Sequence, residues 1–216
     1  MASTIPPVRI RDYGHYINDR QAGKWPLGFA HLVADDLLVL LAPACERIQV
    51  VGSIRRKKPW VGDIELLCIP KIEERRVGIL ELLAHEDILD SLLQKLLKCD
   101  YVTLQGVVTG GLLSKRPNKS GRFTYGPKNK LLVHTPTGIG VYIFTADEKN
   151  WGMALVVRTG SAEFNKMIMS RFLAMGLKGH AYAGVTDTDG NDIDCPDEAT
   201  VFDILKMKLI PPGERL

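Results

Sequence analysis

The apolar run DIELLCIP, residues 63–70, constrains the fold most, because it has the length of a strand and yet carries two carboxylates. Side chains two residues apart in a strand point to the same face, so Asp63 and Glu65 lie side by side. A buried carboxylate is costly unless a cation or a proton neutralises it. The sequence therefore predicts a buried strand whose two acids need a partner from elsewhere in the fold.

A divalent metal ion is the partner that this pair suits best. Two like charges so close repel each other unless a cation lies between them. Oxygen ligands on a rigid strand favour Mg²⁺, with Mn²⁺ as the alternative ion, and substrate phosphates complete the shell. The competing interpretation of Asp63 and Glu65 is an edge strand with two solvated acids.

The residues just before this strand favour a phosphate ligand. Gly52 and Ser53 end the preceding strand, where backbone amides and a hydroxyl can wrap a phosphate. Arg55 and Arg56 follow, and one of them can add charge-assisted hydrogen bonds. Phosphate donors ahead of a carboxylate pair are typical of a nucleoside-triphosphate site.

The 216-residue chain is 45% hydrophobic and 25% charged, which is ordinary for a globular protein of one or two domains. No apolar run reaches the roughly 20 residues of a membrane span, and no export signal is visible, so an intracellular protein is expected. The four cysteines lack C-x-x-C spacing, which makes zinc an unfavoured interpretation.

Positive charge is concentrated ahead of residue 159. The last 58 residues hold six Lys/Arg and nine Asp/Glu, a net of −3, so a total of +3 leaves +6 for the first 158. One stretch has six basic residues and no acid, a pattern that suits DNA: Lys115, Arg116, Lys119, Arg122, Lys128 and Lys130. The alternative is a solvated loop.

Apolar periodicity predicts a mixed α/β fold. A helical period covers residues 27–41 and another covers about 86–98, while residues 48–53, 63–70 and 101–108 read as strands. GVYIF and GMALVVR are predicted to be a closing strand pair. A helix after Ser161, a hairpin at Asp189-Gly190 and a helix over about 198–207 complete the chain. A boundary near Thr159 predicts two domains, residues 1–158 and 159–216.

Several motifs resemble a known family. Gly52-Ser53-Ile54-Arg55-Arg56 and Gly62-Asp63-Ile64-Glu65 look like the signature of polymerase-β-type nucleotidyltransferases. Asn150-Trp151-Gly152 and the segment Arg158–Lys166 resemble the palm-to-C-terminal junction of family X DNA polymerases, and residues 198–205 with 210–215 resemble their C-terminus. The similarity spans roughly residues 25–216, and the leading segment is too short for the family's helix-hairpin-helix modules, so the chain resembles a minimal form like the small viral or phage polymerases.

The resemblance implies a role for each matching residue. Ser53 and Arg56, with Gly52 and Gly62, would hold the phosphates of a dNTP, and Asp63 and Glu65 would bind metal. Three residues after the junction would line the nucleotide's sugar and minor-groove edge, and one would lie beside the templating base; in order, these are Thr159, Gly160, Asn165 and Lys166.

The third motif departs from the family. Val-Asp-Ile-Phe is expected before Asn-Trp-Gly, but the sequence has Val141-Tyr142-Ile143-Phe144, and a neutral phenol cannot replace the third carboxylate. Asp147 and Glu148 are the next candidates. In addition, Val157-Arg158 replaces the family's aromatic pair before Thr-Gly.

The resemblance implies a polymerase-β-like palm with a mixed sheet, joined to a small C-terminal α/β subdomain. The expected activity is transfer of dNMP from a dNTP to a DNA 3′-end in the filling of short gaps. Two alternatives stay open: a catalytically impaired homologue that binds nucleotide and DNA, and a small-molecule nucleotidyltransferase.

Overall fold

A five-stranded mixed sheet lies at the centre of the structure, a computed structural model that describes residues 13, 20–77, 82–105, 107–109, 112–114, 125–182 and 184–216. In spatial order its strands are β2 (Cys45–Val50), β4 (Asp63–Pro70), β11 (Ile139–Thr145), β10 (Asn129–His134) and β7 (Val102–Leu104). Strands β4 and β11 run parallel, and the other neighbours are antiparallel. The predicted mixed α/β class is confirmed.

The described residues also form six α-helices: α1 (Leu27–Leu41), α2 (Gly52–Arg55), α3 (Ile88–Lys98), α4 (Trp151–Thr159), α5 (Ala162–Ala174) and α6 (Glu198–Ile204). The bounds of α1 coincide with the sequence prediction, and Pro43 follows its end. Residues 27–44 are long and apolar enough, by length and composition alone, to cross a membrane. In this structure, the face of α1 that includes Phe29, Val33 and Leu37 is buried in the core instead.

Smaller sheets surround the central one. Two-residue strands β1 (Trp25–Pro26) and β3 (Trp60–Val61) pair beside α2. The remaining strands form two hairpins and a three-stranded C-terminal sheet; they are β5 (Ile72–Val77) with β6 (Leu82–Asp87), β8 (Val107–Thr109) with β9 (Leu112–Ser114), and β12 (Lys178–His180), β13 (Gly184–Thr186) and β14 (Asp192–Ile193).

The segment GMALVVR is helix α4, so its prediction as a strand is wrong. Residues 151–156 are buried without exception, so this helix shows no polar face in the sequence. A short apolar run buried on all sides has no period that separates a helix from a strand. The strand predicted over residues 101–108 is also divided into β7 and β8.

Helix α4 joins the central sheet to the C-terminal part of the chain. Trp151, Ala154 and Leu155 pack with Leu67 and Phe144 of the sheet. Met153 and Val156 belong instead to a cluster of C-terminal residues from α5, β13 and α6. Helix α4 therefore packs against both parts of the chain. Its last residue, Thr159, is the position of the predicted domain boundary, and the division into two domains stays a prediction.

The glycine of Asn150-Trp151-Gly152 has a packing reason. The Gly152 amide donates to the Cys195 carbonyl at 2.7 Å, and a Cβ at position 152 would lie 2.0 Å from the Asp197 carbonyl oxygen. Only glycine lets the start of α4 lie against the backbone that precedes α6. This contact fixes the C-terminal region beside the central sheet.

Candidate functional site

Asp63 and Glu65 lie at the start of β4, where the parallel neighbour β11 sets Gly140 opposite Asp63 and Tyr142 opposite Glu65. Burial raises the pKa of Asp63, and burial with the nearby Asp63 charge raises the pKa of Glu65 to about 7. Among the described residues, no cation forms a salt bridge with either acid. The divalent ion that the sequence predicts for this pair stays a prediction.

Tyr142 points toward this pair but brings no charge. The Gln105 side-chain amide donates to the Tyr142 hydroxyl at 2.7 Å. Burial raises the Tyr142 pKa further above 10, and the Asp63 and Glu65 charges act in the same direction. The phenol is therefore neutral at physiological pH. Gln105 is a contact that no sequence motif indicated.

The next candidates for a third carboxylate do not join the site. Asp147 accepts hydrogen bonds from the Asn150 backbone amide at 2.9 Å and from its side-chain amide at 2.8 Å, so it caps the turn before α4. Glu148 is exposed. Within the described part of the chain, no group of three His, Cys, Asp or Glu residues is arranged to hold a metal. The half-buried carboxylates of Asp63 and Glu65 are therefore the candidate ligands of a divalent ion, which stays a prediction.

Gly52 allows the turn that carries Ser53 to lie directly against Glu65. Its φ is +64°, and a Cβ there would lie 1.7 Å from a Glu65 carboxylate oxygen. The Val51 amide also donates to the Glu65 carbonyl at 2.9 Å. The turn that carries Ser53 is thereby held beside the carboxylate pair.

The two arginines of this turn have different partners. Arg55 forms two hydrogen bonds with the Glu198 carboxylate, at 2.8 and 2.6 Å, and a third with the Thr159 hydroxyl at 2.7 Å. Glu198 also accepts a hydrogen bond from the fully buried Arg215. Arg55 thus links the central sheet to the C-terminal region.

Arg56 faces a cavity instead. One terminal nitrogen donates to the Thr159 carbonyl at 2.5 Å, and its Nε is buried without a partner among the described residues. The cavity has a volume of about 530 Å³, and its lining includes the predicted phosphate ligands Ser53, Arg56 and Gly62. The structure therefore brings these three residues together; their ligand stays a prediction.

The predicted nucleoside-contacting residues lie beyond this cavity. Thr159 is fully buried under Arg55, and the Asn165 amide nitrogen donates to the Val157 carbonyl at 2.8 Å. Gly160 lies against Asn165, whose side-chain oxygen would be 2.5 Å from a Cβ at position 160. Their roles in binding a nucleotide stay predictions.

Arg158 occupies the place of the family's aromatic residue. Its guanidinium lies 3.6 Å from the centroid of the Phe144 ring and 4.8 Å from that of Tyr182. Burial lowers the Arg158 pKa, and the charge of Arg158 partly opposes the rise in the Glu65 pKa. This arginine therefore contributes positive charge beside the carboxylate pair without a direct salt bridge.

The predicted DNA-binding residues fall into three groups: four that lie outside the described residues, two that are exposed, and the buried Lys130. Lys115, Arg116, Lys119 and Arg122 lie outside the described residues. Lys128 and Lys166 are exposed, as a contact with DNA requires.

The burial of Lys130 contradicts its predicted role in DNA binding. Its side chain is 1% exposed, lies 3.6 Å from an Asp90 oxygen and donates to the Gly126 carbonyl at 3.2 Å. Lys130 stabilises the interior beside α3, so its ammonium is unavailable to a phosphate backbone. This is a correction to the sequence prediction.

The raised Glu65 pKa predicts a pH-dependent stability. The native state holds the Glu65 proton up to about pH 7, whereas the unfolded chain releases it near 4.5, so stability falls as pH rises through this window. Above pH 7 the ionised group costs up to about 3 kcal/mol. Glu65→Gln should therefore raise the melting temperature at pH 8 without divalent ions, and should leave it nearly unchanged at pH 4.

Thermal unfolding of both proteins across this pH range checks the prediction, and adding Mg²⁺ at pH 8 should narrow the difference between them. The exposed Glu163 supplies the control, since Glu163→Gln removes a carboxylate outside the site. An equal difference in melting temperature at pH 4 and pH 8 would show that folding does not shift the Glu65 pKa.

Comparison with known proteins identifies the C-terminal part of the chain. Residues 154–216 match the family model of the DNA polymerase beta thumb. The match supports a relationship to the polymerase β-like proteins of family X, and it implies that the chain binds DNA. No curated protein matches the chain.

Proposed function

We propose that the chain is a nucleotidyltransferase of the family X type, which adds dNMP from a dNTP to a DNA 3′-end and fills short gaps. The observation that carries the proposal is the position of residues 52–56, which lie against Glu65 through Gly52 and so beside the half-buried pair Asp63 and Glu65. The central sheet acts as the palm, and the thumb-like residues 154–216 lie against it through α4.

Each part of the site has a chemical task. Asp63 and Glu65 hold one Mg²⁺ or Mn²⁺ ion, which neutralises phosphate charge when bound. The Ser53 hydroxyl and the Arg56 guanidinium bind the phosphates by charge-assisted hydrogen bonds. Arg55 fixes the turn through Glu198, so Ser53 and Arg56 are oriented before the nucleotide arrives.

DNA binds along the exposed basic residues. Lys128 and Lys166 are exposed on the structure, and the basic residues between 115 and 122 extend the same charge in the sequence. Contacts of this kind are made to phosphates and do not depend on base sequence. The match to a thumb domain also argues against the small-molecule nucleotidyltransferase alternative.

A catalytically impaired family member is the second candidate, and Tyr142 is the observation that favours it. The neutral phenol, held by Gln105, lies where the family resemblance expects the carboxylate that helps to activate the primer 3′-hydroxyl. In this form the protein binds dNTP and gapped DNA but extends the primer slowly. The two candidates differ only in the rate of the chemical step.

Arg56→Ala should weaken dNTP binding by roughly tenfold, because a hydrogen bond to a charged group contributes about 1.5–3 kcal/mol. Binding of a gapped duplex should change less than twofold, since Arg56 faces the cavity rather than the exposed lysines. Equilibrium titrations with each ligand measure both effects. The neighbouring Lys57→Ala variant removes an exposed cation outside the cavity and should match the parent. Equal losses for dNTP and DNA would place Arg56 on the DNA backbone.

A further inference from the structure

The cavity beside the phosphate-binding turn is larger than the predicted phosphate site requires. Besides Ser53, Arg56 and Gly62, it is lined by four residues to which no function has been assigned: Lys24, Lys58, Pro59 and Trp60. Its volume of about 530 Å³ lies within the range of whole small-molecule sites. Three of them, Lys58, Pro59 and Trp60, are consecutive in the chain and line one part of the cavity, here called the second compartment.

The charge of the whole cavity favours an anion. The cavity lining has three cationic side chains, Lys24, Arg56 and Lys58, and no acidic residue. Within the part of the chain that the structure describes, neither lysine forms a salt bridge with a carboxylate. A phosphate chain that passes Ser53 and Arg56 would meet Lys58 next to them, because the Lys58 amide donates to the Ser53 carbonyl at 3.0 Å.

Trp60 gives the compartment an aromatic wall. Its side chain is 37% exposed, whereas Trp25 is 2% and Trp151 0% exposed. The backbone at this wall is anchored, because Trp60 pairs with Pro26 across the β1–β3 ribbon and the Pro59 carbonyl accepts the Leu27 amide at 3.0 Å. An exposed indole beside cations is suited to stacking a nucleobase.

Resting on the proposed function, we propose that the compartment of Lys58, Pro59 and Trp60 binds a second nucleoside attached to the far end of the phosphate chain. The ligand class is the dinucleoside polyphosphates, in which two nucleosides are joined through their 5′-phosphates. The first nucleoside lies on the Asp63 and Glu65 side, Ser53, Arg56 and Lys58 hold the phosphates, and Trp60 stacks on the second base. A nucleotide without the second base uses only part of this cavity.

The test compares two ligands with the same phosphate chain. Di(deoxyadenosine) tetraphosphate should bind roughly tenfold more tightly than deoxyadenosine tetraphosphate, as expected for one stacked base. Binding should also quench the fluorescence of Trp60. Trp60→Ala should abolish the difference in affinity, and Trp60→Phe should retain part of it. Lys58→Gln should weaken both ligands, whereas Lys57→Gln, which removes a neighbouring exposed charge, should not.

Equal affinity of the two tetraphosphates, or a difference that persists in Trp60→Ala, would overturn the inference. If dNTP binding then still depends on Arg56, the proposed function survives that failure. If none of the nucleotides binds, both proposals fail. A 5′-phosphorylated oligonucleotide that outcompetes the dinucleotide and depends on Trp60 would contradict the inference and assign the compartment to a DNA end.

Discussion

Tyr142→Asp should raise the rate of primer extension by at least about 10²-fold, because correct activation of a nucleophile contributes roughly 10²- to 10⁴-fold. The substitution places a third carboxylate beside Glu65, at the register position that now holds a neutral phenol. Nucleotide affinity should change little, since Ser53 and Arg56 are untouched.

Single-turnover extension of a gapped duplex separates this effect from binding. Tyr142→Phe is the matched control, since it removes the hydroxyl and its Gln105 contact without adding charge, and it should extend no faster than the parent. If the parent already extends rapidly and Tyr142→Asp adds nothing, the third ligand lies elsewhere. A gain of equal size in Tyr142→Phe would show that the phenol obstructs the site.

Glu198→Ala should destabilise the protein by about 3–5 kcal/mol, the usual cost of removing one member of a buried ion pair. Although burial raises the Glu198 pKa, the hydrogen bonds from Arg55 and Arg215 outweigh it and hold the pKa below its ordinary value. Arg215 is fully buried, and one of its terminal nitrogens already lacks a partner among the described residues. Without Glu198, its charge is left uncompensated.

Chemical denaturation of the variant measures this loss, with Asp203→Ala on the same helix as the control. Asp203 is exposed, so its substitution should change the free energy of unfolding by less than about 0.5 kcal/mol. Glu198→Gln, which keeps the shape of the side chain, should lose less than Glu198→Ala. A cost below about 1 kcal/mol in Glu198→Ala would mean that the pair behaves as a solvated surface salt bridge.

Local patterns predicted the elements that position the site. The residues of α1 and β4 match the predicted bounds, because an apolar period ends at Pro43 in the first case and a short apolar run ends at Pro70 in the second. Strand alternation also placed Asp63 and Glu65 on one face. The turn Gly52-Ser53 lies beside them as the sequence order suggests.

Contacts between distant residues were not predictable in the same way. Arg55 and Glu198 are 143 positions apart, and Gln105 and Tyr142 are 37 apart, so no local pattern relates them. The burial of Lys130, in contrast, could have been predicted from the sequence. Alternation along β10 places Lys130 on the same inward face as Leu132 and His134, but the run of basic residues led to its interpretation as an exposed DNA-binding residue.

Metal-dependent extension by Tyr142→Asp, with and without Asp63→Ala, tests most directly whether the carboxylate pair is a nucleotidyl-transfer site. Both proteins should bind gapped DNA equally, because Asp63 lies inside the site rather than among the exposed lysines. Tyr142→Asp should extend the primer only when Mg²⁺ or Mn²⁺ is present, and the double variant should give no extension above background. Undiminished extension by the double variant would contradict the assignment of Asp63 and Glu65 as the metal-binding pair.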